Sequence, residues 1–313
     1  MGFLIVLLLN SKSNSDQTVV FYDIEFIPEI QMRHQVLNPK IPDDVTFSGE
    51  TVHFNSPEAY LKFERELRLN ASNNSSTRLL LKNVRVWLPE ITKILVANKI
   101  PEDFKFVAVA ESNLSNVVSP RGAAGFWQIT DITALHLGLE LNDEVDERYN
   151  PIKATRAACR YFKEGYRVFG NWTSAAASYN RGINGLKRAY KTQKVKNYYE
   201  LSLNDETSRY LYKILAIKDL VNNPEKYSMK PIGRSQLAYK TMVVDYSIPD
   251  LKAFALHHNI DYELFREYNP WILKNSLTIK QEGKTYTLFI PRSPEYLFKN
   301  EVRKEKESDN KDA

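Results

Sequence analysis

"FKFVAVAESNLSN" (residues 104–116) is the stretch on which the fold turns. Phe106 to Ala110 is an unbroken apolar or small run, and Glu111 ends it. The preceding "PED" places a proline and two acids where a helix start favours them, so the segment reads as a buried helix. On that helix Glu111 has Val107, Ala108 and Leu114 three and four positions away. A carboxyl among such groups loses hydration, its charged form is disfavoured, and it can keep a proton near neutral pH for use as a general acid. The same position also suits a glutamate that points to water and closes the helix.

Helical patterns dominate residues 100–226 on either side of the acid. "NPIKATRAACRYFKEGYRVFG" (150–170) opens on Asn-Pro and stops on glycine, and "NWTSAAASYNRGINGLKRAYK" (171–191) is alanine-rich until Gly182 and Gly185. "NDETSRYLYKILAIKDLVNNP" (204–224) carries Tyr210, Ile214, Ile217 and Val221 at helical spacing. Upstream, "SPEAYLKFERELRL" (56–69) reads as a helix with Ser56 as its cap. "RLLLKNVRVWLPEITKILVANK" (78–99) reads as a helix that Pro89 kinks or restarts. Residues 237–293 change character and read strand, helix, helix, strand.

The resulting division is a seven-residue apolar run within 1–9, resembling an export-signal remnant, and a loosely structured arm over 10–55. A mainly helical domain follows over 56–227, then a linker over 228–236, a small α+β module over 237–293 and a charged tail over 294–313. Phe3–Leu9 is far too short to span a bilayer.

The chain has 313 residues, 43% hydrophobic and 26% charged, with a net charge of +5. That mild basic bias suits an anionic environment, such as nucleic acid, a membrane surface or an acidic cell-wall polymer, and selects none of them. No block of like charge or basic helical stripe points to nucleic acid. Cys159 is the one cysteine, so no intrachain disulfide forms; in its helical setting it reads as a small buried hydrophobe. The five histidines are scattered, and no metal or cofactor site is expected.

Three further stretches carry candidate chemistry. "SPRGAAGFWQI" (119–129) combines Ser119 and Gln128, uncharged hydrogen-bonding groups, with glycines that permit close backbone approach. Phe126 and Trp127 offer flat faces on which sugars stack, or core for a packed turn. "AAASYNRG" (175–182) brings Tyr179 and Asn180 out at a helix end, where a hydroxyl could orient a carboxyl. "ETSRYLYKILA" (206–216) puts Glu206 and Tyr210 on one helix face.

Together, Glu111-Ser112, "SPRGAAGFWQ", "ASYNRG" and "ETSRY", in that order and with "DERYNP" (146–151) between, resemble the lytic transglycosylases of the soluble-lytic-transglycosylase type, in their membrane-bound murein transglycosylase D branch. The resemblance covers about residues 87–227. It implies a goose-lysozyme-like helical catalytic domain with Glu111 as acid and base. Ser119, Gln128, Tyr179, Asn180, Glu206 and Tyr210 would line the glycan cleft. It also implies peptidoglycan glycan strands as substrate, 1,6-anhydro products, no cofactor, no nucleic acid, and an exported, periplasmic or cell-envelope protein compatible with membrane association. The sequence departs from the family at Phe126, where leucine is more usual, and at Ile129–Thr130, where a Phe-Met pair is.

Most glycosidases use two carboxyls. Asp131 and Glu206 are the available partners, although the resemblance needs none. A goose-type lysozyme-like hydrolase and a non-catalytic peptidoglycan-binding protein are the competing readings. Residues 237–293 resemble a LysM domain in "LFREYNPWI" and "KTYTLFIP", but "DYSIPD" stands where a Gly-Asp-Thr turn is common.

Overall fold

The computed structural model describes residues 45–54, 56–71, 75–229 and 239–291. The export-like run, the arm up to residue 44, most of the linker and the whole of the tail lie outside the described residues. The described part consists of ten α-helices, two two-stranded sheets and short 3-10 turns.

The chain enters through a hairpin, β1 (Thr46–Phe47) paired with β2 (Glu50–Thr51), turned by Ser48 and Gly49 in left-handed conformations. The expected loose arm therefore ends in ordered structure. Phe47 is fully buried against Phe104, with ring centroids 5.3 Å apart. Two-residue strands carry no periodicity, so only this long-range burial fixes them.

α1 (Pro57–Asn70) starts as expected, with the Ser56 hydroxyl accepting from the Ala59 amide at 3.1 Å. α2 (Ser75–Ala97) runs through Pro89 without a break. Leu80, Val84 and Leu88 before the proline, and Ile91 and Leu95 after it, are all buried. Core packing on both sides outweighs the roughly 3 kcal/mol a mid-helix proline costs.

A 3-10 turn (Glu102–Phe104) leads into α3 (Lys105–Ser112), whose residues Phe106 to Ala110 are buried all round. α3 packs against both α2 and α8 (Asp205–Asn222), and α1 packs against α8 as well. α4 (Asp131–His136) is short. α5 (Pro151–Phe169) is capped by Asn150, which accepts from the amides of Ile152 and Lys153, and ends on Gly170 in the left-handed conformation. Those are the boundaries its Asn-Pro start and Gly stop predict.

α6 (Trp172–Arg181) crosses α5 closely: a Cβ on Gly165 would lie 3.3 Å from the Ala175 Cα, and Ala175 to Ala177 are fully buried. Glu50 of the hairpin covers the start of α6, accepting from the Trp172 amide at 2.6 Å, the Thr173 amide at 2.8 Å and the Thr173 hydroxyl at 2.7 Å. A carboxylate there satisfies amides that lack partners within the helix and complements its dipole. α7 (Ile183–Gln193) completes the helical layer. Cys159 is fully buried, and burial pushes its thiol up to about 11.

The C-terminal module has the β-α-α-β order read from the sequence: β3 (Tyr239–Val244), α9 (Leu251–His257), α10 (Tyr262–Tyr268) and β4 (Tyr286–Pro291). β3 and β4 are antiparallel, in register from Tyr239 opposite Pro291 to Val244 opposite Tyr286. Buried Asn269 ties α10 to β4, donating to the Phe265 and Phe289 carbonyls at 2.9 and 2.7 Å and accepting from the Phe289 amide at 2.8 Å. The core of this module includes Val145, which belongs by sequence to the helical domain. Among the described residues no helix is long and apolar enough to cross a membrane.

Candidate active site

Glu111 sits at the last turn of α3, and its surroundings follow from where that helix stops. Asn113 and Leu114 both take left-handed backbone conformations (φ 52° and 54°), which turn the chain sharply after Ser112. The Asn83 amide of α2 donates to the Asn113 carbonyl at 2.9 Å and holds the turn. Ser112 faces inward, and its hydroxyl donates to the Phe126 carbonyl at 2.8 Å. The residue beside the acid thus joins the helix end to the 117–129 loop.

The Glu111 carboxylate accepts from the Tyr210 hydroxyl of α8. One turn further along α8, the Lys213 ammonium donates to the Ala110 carbonyl. Glu111 is half-buried. Its pKa is raised above 4.5, chiefly because burial strips water from the charged form; the Tyr210 hydrogen bond and the Lys213 charge oppose this, and the Glu206 charge adds to it. Burial and the nearby Glu111 charge push the Tyr210 and Tyr179 hydroxyls well above 10.0, so both remain hydrogen-bond donors at neutral pH.

Tyr179 donates to the Trp127 carbonyl at 2.7 Å, fastening the end of α6 to the same loop. Asn180 donates to the Glu206 carboxylate at 3.0 Å and accepts from the Thr207 hydroxyl at 2.8 Å. The pieces containing Tyr179, Asn180, Glu206 and Tyr210 therefore meet around Glu111, although they lie far apart in sequence.

The loop is built mostly by its own hydrogen bonds. Ser119 accepts from the Ala123 amide at 3.0 Å through its hydroxyl, and Gln128 donates to the Val117 and Gly125 carbonyls, both at 2.9 Å. Both side chains thus shape the loop. Phe126 and Trp127 are core and not sugar platforms: Phe126 is 3% exposed against Trp87, and Trp127 is fully buried with its indole N–H on Thr155. Two aromatics in a row suit a hydrophobic interior as well as a carbohydrate, and here the interior takes both.

Neither suggested second carboxyl is free. Asp131 is exposed and paired with Arg148, while Glu206 is held by Asn180. Arg148 and Lys213 were not singled out from the sequence. Lys213 lies three residues past Tyr210 on the same helical face, a spacing that could have marked it.

Residues 92–202 match the transglycosylase SLT domain family, and residues 240–294 match the soluble lytic transglycosylase C-terminal LysM-like domain family. The chain is similar to the membrane-bound lytic murein transglycosylase D of Escherichia coli (strain K12), 29% identical over 137 residues that make up 42% of this chain and 30% of that protein. The same figures hold for the protein of that name from Escherichia coli O6:H1. An Alteromonas sp. (strain M-1) protein named for tributyltin chloride resistance is 28% identical over 99 residues, 31% of this chain and 48% of that one. The chain spans about a third of the length of the first two relatives.

Proposed function

We propose, from the premise that the chain carries a transglycosylase SLT domain with a LysM-like domain after it, that it is a lytic murein transglycosylase of the cell envelope, acting on peptidoglycan glycan strands. The observation that carries the reading is Glu111: a desolvated carboxyl with a raised pKa, at a buried helix end, bonded by one tyrosine hydroxyl.

In this reading Glu111 starts protonated. It gives its proton to the oxygen bridging N-acetylmuramic acid C1 to the next sugar, the C1–O bond breaks, and C1 takes on oxocarbenium character. The carboxylate then removes the proton of the same sugar's 6-hydroxyl, whose oxygen bonds to C1. The proton lost in the first half returns in the second, no water is consumed, and the product ends in a 1,6-anhydro ring. An intramolecular hydroxyl has a high effective concentration, which makes a second carboxylate dispensable. Tyr210 orients the acid and stabilises its anion. Tyr179, Asn180 and Glu206 line the cleft with Ser119 and Gln128, and Tyr179 braces their loop through the Trp127 carbonyl.

Digestion of purified sacculi, with the released fragments weighed, tests this. Ends lighter by one water than the hydrolysed sugar support it. Reducing ends of full mass overturn it in favour of hydrolysis, and no release overturns catalysis altogether.

Tyr210→Phe gives a second check. Tyr210 donates to the charged carboxylate, so losing it favours the protonated acid and raises the Glu111 pKa further. The alkaline fall of the pH–rate profile should move to higher pH. The maximal rate should drop about ten- to a hundredfold, the scale of one hydrogen bond to a charged group at about 1.5–3 kcal/mol.

A further inference from the structure

The helical domain sends residues 140–148 into the C-terminal module and straight back to the active-site loop. On the module side, Val145 is 1% exposed within the module's own core and pairs as a β-bridge with Ile272. The Asp146 amide donates to the Trp271 carbonyl at 2.9 Å, and the Leu273 amide to the Glu144 carbonyl at 2.7 Å. The Glu144 carboxylate accepts from the Thr278 amide at 3.0 Å, its hydroxyl at 3.1 Å and the Ser276 hydroxyl. Glu140 accepts from Lys284 at 2.6 Å and Tyr286 at 2.9 Å.

On the loop side, Asp146 holds Arg148 by a two-nitrogen ion pair, with contacts of 2.6 and 2.9 Å. The Arg148 guanidinium donates to the Gly122 carbonyl at 3.0 Å and the Ile129 carbonyl at 3.4 Å, and pairs with Asp131. The Arg148 carbonyl rests on Gly125 so closely that a Cβ there would lie 2.1 Å away. The loop so gripped carries Phe126, which receives Ser112, and Trp127, which receives Tyr179.

We propose that the C-terminal module braces the active-site loop, and that Glu144, Asp146 and Arg148 are positioning residues that transmit its hold. A loosely tethered module would need none of these contacts, and to a loop already tied by its own hydrogen bonds Arg148 adds a hold from outside at Gly122, Ile129 and Asp131. The 269–279 segment of the module is committed to this contact. The brace sharpens catalysis only if the proposed transglycosylase reading holds, whereas its mechanical part stands apart from that reading.

Hydrogen exchange of the full chain separates the two. The amides of Ser119, Ala124, Gly125, Gln128 and Ile129 are all bonded within the loop and report on it. Glu144→Ala should speed exchange at least fivefold in both 269–279 and 117–129, with α1 unchanged. Glu144→Gln, which keeps an acceptor for Thr278, should restore most of the protection. Arg148→Lys keeps the charge but loses the fork, and should speed 117–129 alone. On sacculi, Glu144→Ala should lower kcat about tenfold with KM within twofold, because small displacements near reacting groups are costly. Faster exchange in 269–279 alone overturns the brace, as does a raised KM with kcat unchanged, which would make the module a substrate tether. A wild type that releases no fragments defeats the proposed activity but leaves the exchange result standing as the test of the brace.

Discussion

Glu111→Gln is expected to lower glycan release by about 10²–10⁴-fold, the contribution of a placed proton-transfer group. The amide can still accept from Tyr210 but has no proton to give. The same variant should fold at least as firmly as the wild type, and the sign can be worked out. Folding raises the Glu111 pKa above 4.5, so the native state is at no disadvantage while the group is protonated in both states. As pH rises through the raised folded value, the native carboxylate must ionise where it is poorly hydrated, and stability is lost. Thermal midpoints of the two proteins should therefore agree below about pH 4.5 and part above it, with the Gln variant higher. A Gln variant that keeps its activity, or that melts lower at neutral pH, contradicts the assignment of a desolvated general acid.

Gly125→Ala should be the most damaging small substitution in the loop. Gly125 has φ 75°, where a Cβ is disfavoured, and that Cβ would lie 2.1 Å from the Arg148 carbonyl oxygen and 2.8 Å from its carbon. Both obstacles are backbone, so no side chain can swing aside. Relief requires the loop and the 146–149 segment to part, carrying Trp127 and Gln128 with them. Roughly 2–4 kcal/mol of stability should be lost, together with most of the activity. Gly122→Ala is the control: its φ of 77° is just as unfavourable, but open space surrounds its Cβ position. It should cost only about 1–2 kcal/mol. Denaturant titration of both variants checks the contrast, and equal losses would show that left-handed backbone alone, not the Arg148 contact, sets the requirement.

What the sequence disclosed divides along physical lines. Helix ends written in local chemistry were readable: Ser56-Pro57 and Asn150-Pro151 with Gly170 cap where expected. The position of the acid was readable because an apolar run isolates it. Features settled by distant partners were not. Nothing local announces that Glu50 meets α6 or that Val145 leaves one core for another. Nor does local pattern tell whether Phe126 and Trp127 face a sugar or the interior. Pro89 misleads for the opposite reason, since its local preference is overruled by burial on either side.

The hairpin has a practical bearing on how the protein can be shortened. A recombinant piece trimmed to the matched region at residue 92 would discard Glu50 along with the first helix, baring the amide end of the segment that delivers Tyr179 and Asn180. Such a fragment, ending at residue 202, would also lose Glu206 and Tyr210 and would present the remaining signature residues on a frayed support. A working unit that keeps the hairpin has to begin no later than Val45.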